Sequence, residues 1–193
     1  MDLTQGSIEQ KKKRAKKMML WFGIISLIMS FGGLTSAFIV SSTREDWLTD
    51  FQLPQAFSIS VALIVLSSIT FVIAKNSLKN NKRQVTTIFL LLTLALGIAF
   101  VVSQFSGFNQ IIEQGYNFTG PTSNITMSYI YIIAVAHIVH VLAGLICLLV
   151  VIYNHFKQKY KPTEMLGLEL AATFWHFVDV LWIYLFFFLY FFR

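Results

Sequence analysis

The residues most able to do chemistry lie where chemistry is costly. His137, His140, His176 and Asp179 all fall inside long apolar runs, with Glu169 at the entrance to the last run and Gln104 in the middle of an earlier one. An ionisable group near a bilayer centre costs at least about 2–3 kcal/mol, so each needs a partner or a task. At about 100° per residue, His137, His140, Gly144 and Cys147 fall within a stripe of about 80°. Glu169, Thr173, His176 and Asp179 fall within about 120° on the next helix. Each stripe suits contact with protein rather than lipid, and Gly144 permits a close helix approach. The two helices are consecutive and antiparallel, so the spacing predicts a buried polar network between them.

Three chemistries are open to such a set. Neutral imidazoles could ligate a metal or haem, and His137 and His140 at i, i+3 could approach one centre. Depth disfavours adding His176, since His140 is about 18 Å and His176 about 9 Å from the same end of their spans. No second carboxylate completes a ligand set at mid-span. A proton relay would need polar groups at every depth. The stretch from Leu181 to Phe192 offers only Trp182, Tyr184 and Tyr190. Histidines hydrogen-bonded within a helix interface are the third, structural reading. No Walker loop is present, and Cys147 has no catalytic partner in view.

The elements that must position these groups follow from the apolar runs. Five stretches, 18–40, 55–75, 85–108, 126–152 and 170–192, can each cross about 30 Å of hydrocarbon as a helix. They are continuous rather than alternating and too long for barrel strands. The expected fold is an all-α membrane bundle of five transmembrane helices, preceded by a basic tail, residues 1–17, that holds Lys11, Lys12, Lys13, Arg14, Lys16 and Lys17. The tail, the second loop (Lys75, Lys79, Lys82, Arg83) and the fourth loop (Lys157, Lys159, Lys161) hold all of the 15 Lys and Arg except Arg44 and Arg193. Lys and Arg concentrate on the cytoplasmic side, which predicts the N-terminus inside and, after five crossings, the C-terminus outside. Arg44 faces Glu45, Asp46 and Asp50 in the first loop. Pro54 and Pro162 lie near span entrances, and Gly120-Pro121 marks a turn in the third loop. Trp21 and Tyr190 fit interfacial belts, while Phe186, Phe187, Phe188, Phe191 and Phe192 suit lipid or interface packing.

Composition agrees. The 193 residues are 56% hydrophobic and 12% charged, half the charge content of a soluble domain. The net charge of +6 comes from clusters between apolar runs that serve topology, so nucleic acid is not an expected partner. One cysteine excludes an intrachain disulfide. Asn117-Phe118-Thr119 and Asn124-Ile125-Thr126 match a short and common glycosylation pattern, which in a bacterial chain would mean nothing. The first apolar run lacks a convincing cleavage site and reads as retained.

Two ordered motifs add a resemblance. The run AHIVHVLAG, residues 136–144, resembles the H-x-x-H-V-x-x-G signature of subunit III of the haem–copper oxidases. GLELAATFWHFVDVLWIYLF, residues 167–186, is similar to that family's G-x-E-x-x-x-x-x-W-H-F-V-D-V-x-W. Upstream, Leu53-Pro54 with Ser67-Ser68, LGIAFVVSQ at 96–104 and Ile24-Ile25-Ser26 resemble further family runs. The chain looks like the five-helix bacterial form, over about residues 18–193. Two departures matter. Leu27 stands where the family commonly has a glutamate after I-I-S, and Gly107 where another glutamate follows the 96–104 run. Roles tied to those carboxylates do not carry over.

The resemblance implies a non-catalytic companion in the cytochrome c oxidase type of complex, within the bacterial inner (cytoplasmic) membrane. It implies no haem or copper in this chain, both being carried by partner subunits. It implies packing beside catalytic subunit I, association with subunit II and other respiratory-chain subunits, bound phospholipid, and support of proton uptake. The complex would reduce oxygen to water while pumping protons. His137, His140, Glu169, Trp175, His176 and Asp179 would then form the motif network, with Gly144 in helix packing. Other readings are a subunit-III-like accessory protein of a nitric-oxide reductase, a small haem-binding membrane enzyme using His137, His140 and His176, and an independent transporter. For the last, no internal repeat or broken helix speaks.

Overall fold

A computed structural model describes residues 7–48, 53–118, 120, 123–162 and 164–192. Asp50, Thr119, Pro121 and Arg193, and the first six residues of the basic tail, lie outside the described residues. Five helices follow one another: α1 Ile8–Ser41, α2 Gln55–Lys79, α3 Arg83–Glu113, α4 Ile125–Phe156 and α5 Leu166–Phe191. All five are long and apolar enough to cross a membrane. Among the described residues, β structure is confined to two isolated bridges.

Each helix extends beyond at least one end of the span that hydropathy marks. The largest difference is α1, which begins at Ile8 rather than near residue 18. The basic segment is therefore the first turns of α1. Hydropathy measures the hydrocarbon crossing, whereas Lys, Arg, Gln and Glu continue a helix readily in water. Ser7 starts it with a capping box, its hydroxyl accepting from Gln10 N while the Gln10 side chain accepts from Ser7 N, which satisfies two otherwise unpaired amides. With 34 residues, α1 is about 51 Å long and exceeds the hydrocarbon thickness.

Helices α2, α3, α4 and α5 close a ring in which each packs on two neighbours; α1 lies outside it, against α4 and α5. The α2–α3 contact is the most extensive. Its connection is only Asn80–Lys82, with Asn81 at φ 57°, a left-handed conformation that Asn tolerates. Gly115, at φ 89°, turns the chain out of α3. Asn124 caps α4 by accepting from Thr126 N, and its Nδ2 donates to Asp46 O. Leu48 N donates to Thr126 Oγ1. These bonds tie the α1–α2 loop to the start of α4, so Asn124 serves the fold directly.

Candidate functional site: the interior of the four-helix ring

Two tryptophans on α5 organise the interior. Trp175 and Trp182 are two helical turns apart and both point inward, exposed by only 2% and 1%. Each indole N–H donates to a serine of α2: Trp175 to Ser67 Oγ at 3.0 Å and Trp182 to Ser60 Oγ at 2.9 Å. The serines are also two turns apart and run the opposite way, as an antiparallel pair requires. A buried indole N–H must find an acceptor, and in a helix interface a serine supplies one without bulk.

Small residues make room for the rings. A Cβ on Gly97 of α3 would lie 2.8 Å from Trp175 Cη2, and one on Gly144 of α4 would lie 3.1 Å from Trp175 Cε3. Trp175 therefore touches all three other helices of the ring. One level along, Trp182 packs against Phe57 of α2, Phe100 of α3 and His137 of α4, with centroid separations of 5.8, 5.6 and 4.8 Å. Gly107 meets Phe57, whose ring would stand 2.6 Å from a Cβ there. The position where the resemblance expects a glutamate is occupied by an aromatic ring from α2.

The sequence-derived polar residues are distributed among several neighbours. His137, fully buried, bonds through Nε2 to Val178 O of α5 at 3.1 Å. His140 turns its Nδ1 to Ala136 O of its own helix, and Phe31 of α1 covers its ring edge-on at 5.7 Å. His176 Nδ1 pairs with Ser68 Oγ of α2 at 2.6 Å. The buried Asp179 carboxyl also interacts with Ser68, while its Oδ2 has no protein partner. Glu169 forms an ion pair with Lys17 of α1 at 3.6 Å, and its carbonyl accepts from Thr173. Cys147 is exposed.

The expected facing of the α4 and α5 stripes thus reduces to one direct bond, His137 to Val178 O. The α5 side chains turn mainly to α2. Helical periodicity tells which residues share a face, but not which neighbour that face meets. Cys147, at the edge of its stripe, falls outside the contact for the same reason. Two α2 serines at seven-residue spacing matching two α5 tryptophans are the sequence signal for this ladder, and Ser60 and Gly97 enter it only through the structure. Thr70 Oγ1 with Thr93 Oγ1 at 2.9 Å, and Thr87 Oγ1 with His155 Nε2 at 3.0 Å, add polar pairs between α3 and its neighbours.

Each of His137, His140 and His176 directs a ring nitrogen at a different protein group. Among the described residues, no three His, Cys, Asp or Glu side chains are grouped to hold a metal ion.

Along α1, packing is looser. A groove of about 460 Å³ between α1, α4 and α5 is lined by Leu20, Ile146, Cys147, Val150, Leu170 and Phe174, among others. It meets a second recess of about 380 Å³ that carries Lys13, Lys17, Lys159, Glu164 and Glu169. Tyr160 and Gly167 line both. Burial pushes the Tyr160 phenol above its ordinary pKa range, against a hydrogen bond to Asn154 that pulls it down. The combination is an apolar slot with a charged mouth.

Comparison with known proteins gives a consistent result. The family model described as cytochrome c oxidase subunit III matches residues 11–193. A cytochrome bo(3) ubiquinol oxidase subunit 3 of Buchnera aphidicola is 30% identical, over 95% of this chain and 97% of its own. One from Pseudomonas putida is 29% identical, over 83% of this chain and 74% of its own. A cytochrome c oxidase subunit 3 of Drosophila melanogaster is 32% identical over 70% of this chain, which spans about half, 48%, of the fly protein.

Proposed function

The chain belongs to the cytochrome c oxidase subunit III family, and from that premise we propose that it is a non-catalytic subunit of a proton-pumping terminal oxidase. The reading places it in the bacterial cytoplasmic membrane with the N-terminus inside, because thirteen of its 15 Lys and Arg lie at the end of the bundle that would face the cytoplasm. Its direct partner is the catalytic subunit I, with subunit II and further respiratory-chain subunits in the same complex. Haem and copper belong to those partners.

The observation that supports this reading most is the fate of the motif residues. Trp175, His137 and His176 each bond to a neighbouring helix, so the polar groups hold a bundle together. A rigid bundle that steadies a neighbour, and so supports its proton uptake, is what such an interior can provide. The slot beside α1 suits a phospholipid, with an acyl chain along Leu20, Ile146 and Phe174 and the headgroup among Lys13, Lys17 and Lys159 and the carboxylates of Glu9, Glu164 and Glu169.

The test is purification in mild detergent through a tag on this chain. The expected result is co-purification of a haem- and copper-bearing catalytic subunit, identified by mass spectrometry, with haem absorbance in the complex and none in the chain once separated. Haem absorbance retained by the separated chain would overturn the reading.

A further inference from the structure

Four buried polar atoms in one region of the ring interior have no hydrogen-bond partner in the protein: Gln104 Nε2 and Oε1, His137 Nδ1 and Tyr131 Oη. Gln104 and His137 are 0% exposed and Tyr131 7%. The ring contacts locate Gln104 relative to the other two. Phe100 of α3 meets His137 of α4 at 5.8 Å, and Phe108 of α3 meets Tyr131 of α4 at 5.2 Å. Gln104 is on the same buried stripe of α3, one turn from each phenylalanine. Its amide is therefore bracketed between the levels of His137 and Tyr131. On α4, the residue midway between those two is Ala134, whose side chain is a single methyl.

The chemistry of the three side chains is complementary but incomplete. The bond to Val178 O, a pure acceptor, requires the proton of a neutral His137 on Nε2. Nδ1 is then a bare acceptor aimed away from α5's backbone. Gln104 offers two N–H donors and one acceptor oxygen, and Tyr131 one hydroxyl that can do both. Buried polar atoms are almost always paired, by protein or by ordered water. A buried water typically makes about three hydrogen bonds to such groups.

We propose that the interior between α3 and α4 binds ordered water at the Gln104 amide, with His137 Nδ1 on one side and Tyr131 Oη on the other as its further partners. The ligand must be small, and it must both donate to His137 Nδ1 and accept from the Gln104 amide, which water does. Such a molecule would fix the His137 ring in the tautomer that bonds to α5. It would link α3 to α4 where the tryptophan–serine ladder joins only α5 and α2.

The decisive measurement is an electron cryo-microscopy map of the native complex, purified through this chain, at a resolution that shows ordered waters. Density is expected within hydrogen-bond distance of the Gln104 amide and of His137 Nδ1 or Tyr131 Oη. A Gln104 amide bonded directly to His137, Tyr131 or a backbone carbonyl, with no density between, would overturn the proposal. A second measurement uses Gln104→Leu and Tyr131→Phe, singly and together. If the residues share a water, the double variant lowers the thermal unfolding midpoint by clearly less than the two single shifts combined. Shifts that add would count against a shared ligand.

Discussion

The ring of α2 to α5 and the outlying α1 use the same amino acids under different rules. Inside the ring, large rings are fitted against glycines, and indole donors meet serines, so shape and hydrogen bonding both fix the register. Helix α1 has a few edge-on aromatic contacts, such as Phe38 with Phe188 at 5.4 Å, a hydroxyl pair between Ser41 and Tyr129, and two exposed ion pairs. Of the residues in its apolar stretch 22% are buried, against 28% for α3 and 44% for α5. Lipid solvates apolar surface as well as a protein interior does, so close packing and satisfied polar groups decide which helices hold together. The ring has the closer packing and the bonded indole donors, whereas α1 leaves a slot open against α4 and α5.

The comparison is most easily broken at Trp175. Trp175→Ala should cost about 3–5 kcal/mol, in the range of large-to-small core substitutions, and is checked by thermal unfolding of the purified complex. A loss no larger than that of Phe22→Ala, an exposed change on α1, would remove the distinction between ring and periphery.

Gly107 gives the next largest effect. Gly107→Ala pushes a methyl into Phe57 and should cost about 1–3 kcal/mol as an overpacked site. Adding Phe57→Leu should recover most of the loss. An alanine tolerated without rescue would mean that the α2–α3 interface is less tightly fitted than the ring contacts require.

Single hydrogen bonds come third. Ser67→Ala strands the Trp175 N–H and should cost about 1–3 kcal/mol, the penalty for an unsatisfied buried donor. Asp179→Asn keeps the shape beside Ser68 and should shift stability by about 1 kcal/mol. Unchanged assembly, stability and activity in Asp179→Asn would separate this residue from the interior network.

The smallest effects belong to α1. Lys13→Ala and Lys17→Ala should each change stability by about 0–1 kcal/mol, since exposed ion pairs contribute little and are screened by salt. At the opposite end of the bundle, the Arg44 guanidinium, through a side-chain hydrogen bond, holds the Asp46 carboxyl below its ordinary 3.8. A carboxyl depressed on folding stabilises above its unfolded pKa, and that contribution fades as pH falls through the folded value. Arg44→Gln should move the Asp46 titration upward in an NMR pH series, and an unmoved Asp46 would disconnect the pair.

Much of this architecture is legible in the chain alone. Five apolar runs of bilayer length leave helices as the one practical way to pair their backbones in lipid, and the Trp-His-x-x-Asp and His-x-x-His motifs mark the helices that carry the family pattern. Periodicity also places Trp175, Trp182 and Asp179 on one side of α5, because 3.6 residues per turn is a property of the backbone. Which neighbour receives that side is a different matter. The serines that accept the indoles are more than a hundred positions upstream, and the space at Gly107 is filled by a ring from another helix. Those pairings depend on how four cylinders close into a ring, which no local periodicity encodes. Tertiary packing alone decided that His176 and Asp179 meet α2 while Glu169 meets α1, that His140 turns back to its own helix, and that α1 stays outside with an open slot beside it.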